Sequence, residues 1–455
     1  MGKYISLGEY NKYLIFTYLT VAFNILTYFI FGYDLNNSFV ILKLKPTFTQ
    51  LKLYNHSNIH DIFKYTALFI ISWGLCIYED YSLKRSTKFV SSSINERSIS
   101  VSTIKLLQYD PERDFERNIS TFKVLLIIFL LIFQNYLIDL FFKGGYGEID
   151  YWVLELLILG YFNKKFFNIK LYDHQYCAIY FNLIFCTAFK ILSFFISLNF
   201  GEEEDNKNIY INHGIYIQIG IMLYLFNITL KLYCISQIKM FIDSKYISPT
   251  KIMRTAGFLG IIFFSIICTI ESFIKCPNLD LVEHMCRVSN ENSNSTYIDK
   301  YSIYFKILKG DIFKDNYSDK ELTIEILVII FGTISFVLYI YFFMAILNHL
   351  KAEHYIFTNP IFNFFFQIIL LINNKVRTGY FFKGKDEFTD LKFFKFTMDI
   401  SGTIVSLFGF VVYLEYIELN FWGLNYNLRK NIKKRGEDDK EGIKEVHEFE
   451  LEMKY

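Results

Sequence analysis

Residues 186–195 read "CTAFKILSFF", with "AIYFNLIF" (178–185) before and "ISLNF" (196–200) after. Lys190 is the single Lys, Arg, Asp or Glu in a largely apolar run from about 174 to 200. As a helix rising 1.5 Å per residue, such a run is long enough to cross roughly 30 Å of hydrocarbon. The rest of the chain repeats the pattern. Runs at about 13–32, 62–79, 121–142, 150–166, 174–200, 214–236, 253–275, 322–347, 354–374 and 394–421 predict ten membrane spans. The 455 residues are 53% hydrophobic and 20% aromatic, and the mean hydropathy is +0.27. A soluble chain of this length requires more polar surface. The expected class is an all-α polytopic membrane protein. A transmembrane barrel would instead show alternating segments of roughly ten residues.

The net charge is +2, so no global field draws the chain to nucleic acid. The first run is too long for a signal-peptide core and lacks a small-residue cleavage site, which predicts a retained first span. Orientation follows the Lys and Arg of short loops. With both termini cytosolic, the cytosolic side receives "SLKRSTKFV", "NKKFFNIK", "CISQIKMFIDSKYISPTKIMR" and "NLRKNIKKR", and the other side receives "KGGYGEID" and "GEEEDNKN". The basic loop "NNKVRTGYFFKGKDEFTDLK" runs against this assignment.

The expected organisation is a cytosolic N-terminus (1–12), one membrane domain (13–421) and a charged cytosolic tail (422–455). Within the membrane domain, 80–120 reads as a flexible Ser-rich cytosolic linker and 276–321 as an external loop. That loop holds two glycosylation acceptors, Asn294 and Asn316. Asn36 and Asn55 head similar triplets in the first external loop, and Asn118 heads one on the cytosolic side. In an Asn-rich chain such triplets also arise by chance. Cys276 and Cys286 are spaced to close a small disulfide in an oxidising compartment, and are equally compatible with free thiols. Cys76, Cys177, Cys186, Cys234 and Cys268 read as packing residues.

An ionisable group in hydrocarbon costs on the order of 3 kcal/mol by insertion scales, so it turns inward or finds a partner. Most candidates lie near a span end, where a long side chain reaches water. Lys190 lies too deep for that and is expected to line a polar cavity suited to an anionic solute, or to pair internally with Glu155 or Asp139. Gln134, Asn135 and Glu155 are expected to shape the cavity, with Lys231 as a second cationic contact nearer the cytosol. Asn135 and Asp139 share a helix face at i, i+4. Glycines 257, 260, 402 and 409 predict close helix approach. The sequence has no HExxH, GxSxG or Walker loop and only 8 His, which disfavours an enzyme or an ATP-driven pump. No metal or cofactor is expected, and the partners are lipid and a small-molecule substrate.

Two segments carry a family resemblance: "IKMFIDSKYISPTKIMRTAGFLGIIF" (238–263) and "DISGTIVSLFGFVVYLEYIEL" (399–419). Both resemble the drug/metabolite transporter superfamily, in its solute carrier family 35 branch. That branch has an acidic residue where Ala256 stands and an Asn where Leu414 stands; Tyr413 and Glu415 align with its last-span motif. The resemblance implies ten helices in two inverted five-helix halves, alternating access, cytosolic termini, and substrates such as nucleotide sugars carried across Golgi, ER or plasma membranes. The alternative from the residues themselves is a non-transporting scaffold or receptor-like membrane protein whose internal charges pair only with one another.

Overall fold

A computed structural model of the chain describes residues 7–31, 58–95, 121–143, 152–167, 172–200, 214–245, 247–273, 319–350, 352–378 and 388–417, with short pieces at 419–420, 423–424, 428 and 431. The described residues form ten α-helices and no strand. They are α1 (Leu7–Phe31), α2 (Asn58–Asn95), α3 (Thr121–Lys143), α4 (Trp152–Phe167), α5 (Asp173–Phe200), α6 (Gly214–Lys245), α7 (Pro249–Phe273), α8 (Asp319–His349), α9 (Glu353–Thr378) and α10 (Phe388–Tyr413). Each predicted span falls on one of them. Five stretches are long and apolar enough to cross a membrane, as a multi-pass membrane protein requires: His60–Ser82, Leu225–Asp243, Pro249–Ile270, Ile329–His349 and Phe396–Tyr413. Leu14–Thr27 and Phe122–Leu137 are shorter apolar stretches.

Two boundaries differ from expectation. Helix α2 runs on to Asn95, so the start of the expected flexible linker is helical. Helix α10 stops at Tyr413 rather than near 421. Tyr416 N–H donates to Val411 C=O at 2.9 Å, and Glu415 N–H to Val412 C=O at 3.1 Å. This pair of bonds is a Schellman cap, and its left-handed position, usually glycine, is filled here by Glu415 at φ 63°.

The helices fall into two compact units. The first comprises 1–150 and 204–383 and so holds α1–α3 and α6–α9; the second comprises 151–203 and 384–455 and holds α4, α5 and α10. This grouping of seven and three does not follow a division of the chain into two five-helix halves.

The first unit is apolar outside as well as inside. On α2 the exposed residues include Ile70, Trp73 and Ile77, whereas Ser72 is fully buried. Several buried hydroxyls are accommodated by bonding back to their own helix. Ser72 Oγ donates to Leu68 C=O (2.5 Å), Thr20 Oγ1 to Phe16 C=O (2.7 Å), Thr333 Oγ1 to Ile329 C=O (2.8 Å) and Ser335 Oγ to Phe331 C=O (2.9 Å). Apolar surface outside with self-satisfied polar groups inside suits a lipid solvent.

Helices α2 and α7 approach most closely where α7 lacks side chains. A Cβ at Gly257 would lie 2.6 Å from the Phe69 backbone nitrogen, and one at Gly260 would enter the Tyr65 ring. Phe264 then stacks on Tyr65 at 5.4 Å. Phe263 meets Phe129 and Tyr136 of α3 edge-on at 5.6 and 5.5 Å. Helix α8 packs on α1 through Phe342, whose ring lies 6.0 Å from Phe16 and 5.6 Å from Phe23.

The "SP" of the α7 entry acts as a helix cap. Ser248 precedes Pro249, the first helical residue, and its carbonyl accepts from the Lys251 and Ile252 amides at 3.1 and 3.2 Å. Glu79 of α2 docks there. Its Oε2 accepts from Ser248 Oγ at 2.9 Å and from Thr250 Oγ1 at 2.6 Å, placing a carboxylate at the positive end of the helix dipole. Hydrogen bonds to a charged group contribute about 1.5–3 kcal/mol. Glu79→Ala is therefore expected to lower the melting temperature of purified protein. Glu79→Gln should lower it less, because the amide oxygen still accepts. Equal losses in the two variants would show that the carboxylate charge is immaterial.

Candidate functional site

Helix α6 is the most enclosed of the candidate spans. Leu232, Cys234, Ile235, Ile238 and Phe241 are buried on several sides of it. Asn227, Ser236 and Gln237 are buried among them at 1%, 0% and 3% exposure. On the neighbouring α3, Gln134 is fully buried. Unlike the hydroxyls that bond back to their own helix, these groups retain unused capacity. Among the described residues, Asn227 Oδ1, Ser236 Oγ, Gln237 Oε1 and both amide atoms of Gln134 have no hydrogen-bond partner. Each unmet buried polar atom costs roughly 1–3 kcal/mol. A fold that keeps them has either a functional use for them or an unusually poor interior.

Two lysines bring charge to this helix. Lys231 is half-buried, and its Nζ lies 5.3 Å from the centroid of the Tyr355 ring at the start of α9, a cation–π contact. Tyr355 is held in turn against Phe343 of α8 at 4.6 Å. Two turns on, Lys239 Nζ donates to Leu347 C=O at 2.6 Å and to Asp243 Oδ1 at 3.0 Å. The first of these bonds satisfies a carbonyl in the last turn of α8, where a cation also complements the dipole. Lys239 is thus engaged in joining two helices, while Lys231 lies over an aromatic ring. An ammonium, buried amides and a buried hydroxyl on one helix are chemistry that a small polar solute bearing an anionic group would require. Among the described residues, no three His, Cys, Asp or Glu lie together as metal ligands would.

The second unit has its own polar seam, where α5 crosses α10. Gly409 lets the amide of Asn182 lie against the α10 backbone, at the place a Cβ would fill. Asn182 is fully buried and neither of its amide atoms is hydrogen-bonded; Ser406 Oγ, one turn before Gly409, is likewise buried and unbonded. Cys186 Sγ donates to Gly402 C=O at 3.6 Å. At the start of α5, His174 Nε2 lies 3.5 Å from Glu415 Oε1.

The residues expected to share a cavity are distributed over both units. Gln134 and Lys231 belong to the first unit and Glu155 and Lys190 to the second. Gln134 is interior as expected, but Asn135 is exposed, because adjacent helical residues point about 100° apart. Asn135 therefore does not line the interior. Glu155 is buried in the first turn of α4. Lys190 lies within α5, one turn beyond Cys186, and its side chain is outside the described residues, as is that of Asp139. Cys276, Cys286, Asn294 and Asn316 also fall outside them. Cys76, Cys177, Cys186, Cys234 and Cys268 are thiols outside any disulfide, buried or half-buried. Sequence reasoning did not single out Ser236, Gln237, Tyr355 or Glu79. A buried polar residue inside an apolar run gives the first two a signal; the partners from distant helices give none. No protein-family model, curated protein or solved structure matches the chain.

Proposed function

We propose that this chain is a membrane carrier that moves a small anionic metabolite by alternating access, with α6 lining the solute path. The observation that carries the reading is that α6, the most enclosed candidate span, buries Asn227, Ser236 and Gln237 with hydrogen-bonding atoms unused among the described residues, and carries Lys231 on the same helix. A sealed bundle would pair these groups or replace them with apolar residues, since each is expensive to bury unsatisfied. The resemblance to solute carrier family 35 favours nucleotide-sugar-like substrates and an endomembrane or plasma-membrane address with cytosolic termini. Two inverted five-helix halves would accompany that resemblance, but the seven-and-three grouping lends them no support. The proposal does not need them, because α3, α6, α8 and α9 all belong to the first unit.

A second reading rests on its own observation. Two charged pairs are engaged within single helices: Lys64 with Asp61 at 2.8 Å, largely buried, and Lys239 with Asp243 at 3.0 Å. Internal pairing of this kind suits a non-transporting scaffold. Uptake into proteoliposomes of purified protein, against a panel of anionic and neutral metabolites, separates the two. The carrier reading expects saturable uptake of at least one anion, and the scaffold reading expects none.

A further inference from the structure

The apolar stripe of α2 does not end where its membrane-crossing stretch ends. On the exposed face, Ile70, Trp73, Ile77 and Tyr81 follow one another at three- and four-residue intervals. The candidate span closes at Ser82, and the helix continues without a break to Asn95. The next positions of the same register, at the same intervals, are Lys84, Arg85 and Lys88. Along one face the chemistry thus passes from aliphatic to aromatic to cationic. Tyr78 and Tyr81, 69% and 65% exposed, occupy the transition. Tyrosine prefers the boundary between hydrocarbon and headgroups, and lysine and arginine prefer the phosphate layer just beyond it.

The opposite face of α2 is committed to protein. Tyr65, Leu68, Ser72 and Cys76 are buried, and Glu79 is engaged with Ser248 and Thr250. That docking holds the rotation of α2 fixed and brings the first turn of α7, with Lys251 and Arg254, alongside its exit from the apolar layer. The acidic residues near this exit are Glu79, bound as a cap, and Asp80.

We infer that the face of α2 bearing Tyr78, Tyr81, Lys84, Arg85 and Lys88 binds the headgroups of anionic phospholipids in the leaflet where α2 emerges. This inference is independent of transport and requires only that α2 cross the bilayer. The occupant is a lipid rather than a free anion because the cationic positions continue a lipid-exposed stripe along the same register. Each Lys or Arg near an anionic surface contributes about 1 kcal/mol, close to fivefold in affinity.

The test uses the full chain purified in neutral detergent. Phosphatidylserine, phosphatidylinositol 4-phosphate or phosphatidylcholine is added as mixed micelles, and thermal stability and lipid retention by native mass spectrometry are read. The two anionic lipids are expected to raise the melting temperature and remain bound, and phosphatidylcholine to do neither. The triple variant Lys84→Gln, Arg85→Gln, Lys88→Gln should bind the anionic lipids roughly 100-fold more weakly, with its melting temperature in detergent alone read alongside as the control for folding. Unchanged anionic-lipid binding by the variant would overturn the assignment. So would equal stabilisation by phosphatidylcholine, or equal protection by soluble inositol phosphate, which would mark a site for free anions.

Discussion

Gly257→Ala is expected to destabilise the first unit more than any other single methyl addition among the glycines whose surroundings are described. The added carbon would sit 2.6 Å from the Phe69 backbone nitrogen and 2.7 Å from its Cα. A backbone cannot swing aside as a side chain can, so α2 and α7 must separate. Their shared contacts with Phe264, Tyr65 and the Glu79 cap loosen with them. Overpacking of this kind costs about 1–3 kcal/mol, and this site belongs at the upper end. Gly260→Ala should cost less, because it meets the ring of Tyr65, which has rotamer freedom. Gly74→Ala, on the exposed face of α2 with nothing within 4 Å, should be neutral or slightly stabilising through helix propensity. Melting curves of the three variants in detergent check the order. A Gly257→Ala variant as stable as Gly74→Ala would mean that the two helices do not cross as described.

The second large effect concerns Lys231. Lys231→Met preserves much of the apolar stem and removes the charge. If the ammonium meets an anionic solute, its loss should lower uptake at subsaturating concentration by about 100-fold, since removing one partner of a buried charge pair costs 2–5 kcal/mol. Lys231→Arg should retain a substantial part of the activity. Tyr355→Leu removes only the ring beneath the cation, an interaction of about 0.5–2 kcal/mol, and should reduce uptake no more than tens of fold. Asn227→Leu and Gln134→Leu provide a contrast in stability. Replacing an unsatisfied buried amide by an apolar group of similar size should leave the fold as stable or more so, while uptake falls. A scaffold would show the gain in stability with no functional loss to accompany it.

The ten helices were legible because length and apolarity are local properties. Each run of about 20 apolar residues had no other stable place for its backbone than a helix. Their ends were less legible. The continuation of α2 past Ser82 is built from Lys, Arg, Ser and Thr, which carry no apolar signal although they form helix readily enough. The stop at Tyr413 was hidden because Glu415, rather than glycine, takes the left-handed position, and apolar residues follow it. The grouping of α4 and α5 with α10, separated by the whole of α6–α9, depends on contacts between distant segments, which no local pattern encodes.

The candidate site was legible in part for the same reason. Gln134 and Lys231 stand out as polar letters in apolar text, and the structure places Gln134 inside and Lys231 half-buried on α6. Asn135, its neighbour in sequence, is exposed, because one residue of helical rotation carries it off the packed face. That Lys239 would reach a carbonyl of α8 while Lys231 faced Tyr355 follows from where α8 and α9 pack; the α6 sequence shows only that Lys239 has Asp243 four residues on and Lys231 has Ile235.

The account rests on the interior of α6 being reached by water. Asn227→Cys, placed in a background with Cys234→Ala and the other reactive thiols removed, puts a reporter on that face. Labelling with a membrane-impermeant thiol reagent in sealed vesicles, with and without a transported anion, reads it directly. Modification that slows when the anion is present is the expected result. A cysteine at 227 that stays unmodified while an exposed control at the end of a span, such as Ser82→Cys, reacts would show a dry interior and contradict the carrier.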